Sequence, residues 1–235
     1  MGNKKKKEKD YDIKAIYEIS KAITSDMYIE DILKLIVNVT AEVTGSKICS
    51  IMLVDEKDKL IKIRATQAMS DEYLKKPPLK IGEGIAGKVV QTGKAVIIQD
   101  VREEPEYKYR DIATKEGLVS MLAVPMAVKG KVIGVLNVYT ARPHHFTERE
   151  IEVLTSIASQ SAIIIENTEL MVKTKVLEEE IETRKKIEKA KGILMKEENL
   201  TEEEAYNKLR RFSMDNRKSM KEVAEAIIIA YEIKK

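Results

Sequence analysis

One cysteine and two histidines are all the thiol and imidazole ligands that 235 residues supply. The lone thiol, Cys49, excludes an internal disulfide framework and a CxxC redox pair, and in its apolar surroundings it is expected to be a buried packing group. His144 and His145 are adjacent, so on a strand they would point to opposite faces, and no third histidine or second cysteine exists to complete a zinc site. The chain also lacks any apolar run near the ~18 residues a bilayer crossing needs, and its start lacks the apolar centre of a secretion signal. The expectation is a cytoplasmic protein with no membrane contact. Net charge is only +3 in a composition that is 34% charged, so any nucleic-acid site must be a local patch. The opening Met1-Gly2-Asn3 and Lys4 to Lys7 resembles an acylation signal but has Lys6 where Ser or Thr is required. Residues 1–10 read instead as a disordered basic tail.

The last fifth of the chain has helical periodicity in three segments, 187–195, 200–214 and 219–228. Thr201 with Glu204, and Ser219 with Glu222, have capping-box spacing, in which hydroxyl and carboxylate each satisfy a free amide at a helix start. Ala205, Leu209 and Phe212 fall on one face of the second segment; Met220, Val223, Ala224, Ile227 and Ile228 fall on one face of the third. A three-helix bundle follows. Gly192 costs roughly 1 kcal/mol inside such a helix, which suggests a close helix crossing. The order Ala190-Lys191-Gly192-Ile193-Leu194-Met195, then Thr201, Ala205-Tyr206, Leu209-Arg210, Ser213-Met214, Lys218 and Val223-Ala224, resembles the ANTAR domain. That resemblance implies a module that binds RNA and regulates transcription termination.

The first part reads as α+β. Helical stretches occupy 13–43, the second with Ile29, Ile32, Leu33, Ile36 and Val39 on one face. Strands are expected at 47–54 and 60–66, a helix from Gly82, a short strand at 95–100, and a hairpin of 120–128 with 132–140 around Lys129-Gly130-Lys131. A further helix from Thr147 has Glu150 at capping-box spacing. An antiparallel sheet flanked by helices results. Gly82-x-Gly84-Ile85-Ala86-Gly87, Ser120 to Pro125, Gly134 to Asn137 and Phe146-x-x-x-Glu150 resemble a GAF domain, placed at residues 11–165. The resemblance implies a sensory domain that can hold a small ligand.

Gly82-x-Gly84-x-x-Gly87 also matches a dinucleotide fingerprint, with Asp100 near the distance of a ribose-binding acid. Its context fails, because Lys75-Lys76-Pro77-Pro78 precedes it where a buried strand is needed. The ligand is therefore an unidentified small molecule, and the pocket could be a packed core with none. From strand alternation its floor is expected at Ser50, Met52, Met121, Ala123, Leu136 and Val138. The lid would be 101–115, with Tyr107, Tyr109, Arg110 and Asp111 suited to orienting a ligand.

From Ile151 to Lys191 there is neither Gly nor Pro, so one long helix is expected, with 166–186 as a coiled-coil linker and 187–235 as the bundle. Ile163, Asn167, Leu170, Thr174, Leu177 and Ile181 step by four and three, the spacing of a two-stranded seam with a register-fixing Asn, and so predict a homodimer. The stripe could alternatively pack on the chain's own N-terminal helix. In the bundle, Tyr206 and Arg210 are four apart, and Arg211, Asn216, Arg217, Lys218 and Lys221 cluster around the turn into the last helix. Stacking and phosphate contacts to unpaired RNA loops suit these side chains. The reading is a regulator that is not an enzyme, which binds RNA hairpins in nascent transcripts as a homodimer and causes antitermination. The alternatives are a GAF-fold enzyme, for which no nucleophile, base and orienter set is evident, and a ligand-independent scaffold with a helical oligomerisation tail.

Overall fold

The computed structural model describes residues 28–68 and 70–233. The tail at 1–10 and the first helical stretch from Ile13 lie outside them. The chain divides into two units, Met1–Glu169 and Leu170–Lys235.

In the first unit, α1 (Ile29–Thr44) has acidic Glu30 and Asp31 in its first turn, where they oppose the helix dipole, and ends on Gly45 in the left-handed region. Then follow β1 (Ile48–Val54), β2 (Leu60–Thr66), α2 (Asp71–Leu74), β3 (Leu79–Lys80), α3 (Gly84–Thr92), β4 (Val96–Ile98), α4 (Arg110–Lys115), β5 (Met121–Val128) and β6 (Lys131–Tyr139). The strands form one antiparallel sheet in the order β3-β2-β1-β6-β5-β4, as the α+β reading expects. Val128 pairs directly with Lys131, so the hairpin turn is the two residues Lys129 and Gly130. Both have positive φ, 51° and 81°, as a type I′ turn requires.

Two apolar layers sandwich the sheet. Helix α1 and the early part of α5 (Glu148–Glu198), through Leu154, Ile157, Ala158 and Ile165, bury against Cys49, Ile51, Leu53, Leu122, Val124, Leu136 and Val138. On the other face α2, α3, α4 and their loops cover Ile48, Met52, Met121, Ala123, Val135 and Tyr139. The start of α5 carries the expected reciprocal cap: Thr147 N–H donates to Glu150 Oε2 at 2.7 Å and Glu150 N–H to Thr147 Oγ1 at 3.3 Å.

In the second unit the first helical segment is no separate helix but the end of α5. Its Ala190 and Leu194 pack with Ala205 and Leu209 of α6 (Glu202–Asn216) and with Val223 and Ala224 of α7 (Met220–Ile233). Both capping boxes form, Thr201 with Glu204 and Ser219 with Glu222. Two expectations fail. A Cβ on Gly192 would meet nothing within 4 Å among the described residues, so this glycine serves no close crossing among them. Phe212 is 55% exposed, because the small core of three helices covers Leu209 and leaves the edge of the stripe open.

Candidate sensory pocket and nucleic-acid interface

The face of the sheet beneath α2 and α4 carries a buried polar chain. Ser50 and Asn137 are cross-strand partners, Asn137 also pairs with Ala123, and Met121 with Tyr139, so these side chains share one face. Tyr73 Oη donates to Ser50 Oγ at 3.3 Å, Asn137 Nδ2 donates to the same oxygen at 3.5 Å, and Tyr107 Oη donates to Tyr139 Oη at 3.3 Å. The rings of Tyr73 and Tyr107 meet that of Tyr139 edge-on, with centroids 6.5 and 6.4 Å away. Burial raises the Tyr73 and Tyr139 phenols and pushes Tyr107 up to about 12, so all three are neutral. Asn137 Oδ1 is fully buried and has no partner among the described residues.

Above this chain, Lys76 Nζ lies 3.3 Å from the Tyr73 ring centroid and 5.1 Å from that of Tyr109, whose hydroxyl donates to Pro77 O. Burial pushes the Lys76 ammonium down to about 7, against the pull of Glu116. The two ring faces also favour the cation.

Of the expected floor, Ser50, Met52, Met121 and Ala123 lie on this face, whereas Leu136 and Val138 do not. They pack under α1 and α5 on the opposite face, so neither can belong to a floor made by the other four. Strand β6 is apolar on both faces, and its phase is set by pairing with β1 and β5 rather than by its own pattern. Val135, Asn137 and Tyr139 take their places. In the lid Tyr107 points inward and Tyr109 is half-buried, while Arg110 is exposed and donates to Pro105 O at 3.2 Å. Tyr73, missed in the sequence, sits in the short helix α2, whose one signal is Ser70 capping the Tyr73 amide.

The glycine fingerprint has a structural account. Gly82 and Gly84 have φ of 84° and 62°, and a Cβ on Gly87 would stand 2.5 Å from Lys80 O. His144 Nε2 lies 2.8 Å from Glu150 Oε1. Among the described residues no group of three or more His, Cys, Asp or Glu is placed to hold a metal ion. Cys49 is buried, and burial raises its thiol far above the usual range.

In the second unit the turn between α6 and α7 is tied twice: Lys218 N–H donates to Ser213 O at 3.0 Å and Ser213 Oγ donates to Lys218 O at 2.6 Å. Arg217 caps α6 at φ 52°, a left-handed conformation that holds its side chain out of the helix. From Lys208 to Lys221, six of fourteen residues are Lys or Arg and one is Asp, a basic concentration that the whole-chain charge conceals. The expected RNA residues border two concavities. Asn216 and Lys218 line one groove, and Tyr206 and Lys221 line a depression bordered by Glu179, Glu180 and Glu188. Arg210 and Arg217 are exposed, as is Arg211, which stands 3.8 Å from Asp215.

Comparison with known proteins agrees with both modules. The model of the GAF domain matches residues 27–166 and that of the ANTAR domain residues 175–228. The chain belongs to the GAF domain family and carries an ANTAR domain behind it. The nitrogen fixation protein AnfA of Azotobacter vinelandii is 27% identical over 154 residues, 64% of this chain and 29% of that one. The transcriptional regulatory protein PdtaR of Mycobacterium tuberculosis is 41% identical over 63 residues, 27% of this chain and 31% of that one. The chain thus spans about a third or less of the length of these relatives. The solved GAF domain of a phosphoenolpyruvate-protein phosphotransferase from Coxiella burnetii matches with a TM-score of 0.62 at 25% identity, covering 69% of this chain and 96% of that one. GAF and ANTAR domains are both regulatory families. Among the described residues no helix is long and apolar enough to cross a membrane.

Proposed function

We propose that this GAF–ANTAR chain is an antitermination regulator: its GAF domain senses a small molecule, and its ANTAR domain, as part of a homodimer, captures hairpin RNA in nascent transcripts. The observation that carries the reading is the tied basic turn between α6 and α7, which presents Arg217, Lys218 and Lys221 together with Arg210 and Arg211. Lysine and arginine meet phosphates, and a turn already held in place pays little ordering entropy on binding. The linker at 166–186 supplies the dimer contact. Its Leu170, Leu177 and Ile181 are 50%, 57% and 55% exposed in the single chain, and Asn167 and Thr174 on the same stripe are exposed too. Ile163, at 40%, extends the stripe into the first unit. Pairing would cover that apolar strip and make capture of a second hairpin intramolecular.

Ser50, Met52, Tyr107, Tyr109, Arg110, Met121 and Ala123 are retained for the sensory ligand, with Tyr73 and Asn137 added. The test is hairpin affinity at two salt concentrations. Arg217→Ala and Lys221→Ala should each weaken binding and flatten the dependence of log K on log salt by about one unit or less. Affinity and salt slope equal to those of the unaltered protein in both variants would refute the basic turn as the RNA contact.

A further inference from the structure

Beside the tied turn, the second unit carries an open groove of ≈780 Å³ between the end of α5, α6 and α7. Its floor is Leu194, Leu209 and Val223, all buried, and the ring of Phe212 stands at its wall, 55% exposed. The rim is electrically balanced: Lys208 is paired with Glu198, and Lys218 Nζ lies 3.2 Å from Glu222 Oε1. Asn216 Nδ2 donates to Phe212 O at 2.9 Å, which leaves its carbonyl oxygen to act as an acceptor.

We infer that this groove is a base pocket, which stacks one unpaired hairpin-loop base on Phe212 and reads an exocyclic amino group on it through Asn216. The inference rests on the RNA-binding reading and adds where the base goes and which bases fit. A neutral, apolar slot with polar edges suits a heterocycle and not a phosphate, whereas the exposed arginines around the turn suit phosphates and not a heterocycle. The acceptor at the edge, Asn216 Oδ1, matches the exocyclic amino group of adenine, cytosine or guanine, which uracil lacks. An amphipathic protein helix or a second copy would also cover Phe212. Neither accounts for six basic residues in the fourteen that flank the groove. The other aromatic of the module, Tyr206, lines a separate depression in which Glu179, Glu180 and Glu188 outnumber Arg184 and Lys221, a less favourable setting for a base beside its phosphates.

The experiment uses the full chain and a tight hairpin chosen from a pool with a randomised loop, then carries 2-aminopurine through each loop position in turn. At one position binding should quench the fluorescence. Phe212→Ala should remove that quench and weaken affinity roughly tenfold or more, with helicity unchanged, while Phe212→Tyr should keep both. Uridine at the quenched position should weaken binding of the unaltered protein and add little further loss in Phe212→Ala. If the chosen hairpin binds Phe212→Ala as tightly as the unaltered protein, or the quench survives there and is lost in Tyr206→Ala, the pocket assignment is wrong and RNA binding stands. If the pool yields no binder, the RNA reading itself falls, and the base pocket with it; loss of self-association in Phe212→Ala would then assign the groove to a second copy.

Discussion

Asn137 lies directly across the sheet from Ser50, gives its amide hydrogen to the serine hydroxyl at 3.5 Å, and leaves its own carbonyl oxygen buried with no partner among the described residues. A buried acceptor left unmade costs about 1–3 kcal/mol. Asn137→Leu, with the same number of side-chain heavy atoms in the same branching, should therefore be neutral or stabilising by up to about 2 kcal/mol in urea denaturation. Tyr73→Phe, which removes the other donor to Ser50, should destabilise by about 1 kcal/mol. A loss of several kcal/mol in Asn137→Leu would mean that the carbonyl is satisfied in solution.

Lys76 gives the sensory face a pH dependence of definite sign. Its folded-state ammonium is pushed down to about 7 from the usual 10.5 of a lysine, so between those values the unfolded chain holds the proton and the folded chain does not. Stability should rise with pH through that window, by less than about 1.4 kcal/mol per unit, since one proton is involved and Lys76 is only half-buried. The raised phenols of Tyr107 and Tyr109 work in the opposite sense above about pH 10, where unfolded tyrosine ionises. Lys76→Met should abolish the rise between pH 7 and 9.5. The same slope in variant and parent would show that the amine is not the group responsible.

The seam on α5 should hold two copies together. Leu170→Glu with Leu177→Glu places like charges across a two-stranded interface, and sedimentation at micromolar concentration should shift to monomer. A dimer that survives both changes would place the contact elsewhere.

Gly192 stands in open space inside a helix. Gly192→Ala should stabilise the ANTAR unit by about 1 kcal/mol, read as a raised melting temperature. A destabilisation would point to a contact that the single chain does not contain.

Much of the architecture was legible because its signals are local. Both ends of β2, three capping boxes and the stripe of α1 follow from residues within a few positions of one another. What escaped was non-local or too short. Leu136 and Val138 were assigned to the wrong face because β6 reads apolar at nearly every position and takes its phase from partners nearly ninety residues away, as the Ser50–Asn137 pair shows. Tyr73 escaped because four residues carry no period. Phe212 obeyed the period of α6 and still lies outside the core, since periodicity gives direction but not how far the neighbouring helices reach.

Cys49 has a practical consequence. It is the chain's one cysteine, sealed between α1 and the sheet with its thiol held protonated by burial, so thiol reagents will pass it by in the folded protein. A cysteine introduced at Leu170 or Phe212 would then be the sole reactive handle, and spin labels or cross-linkers could report on pairing and on groove occupancy without first stripping the native residue.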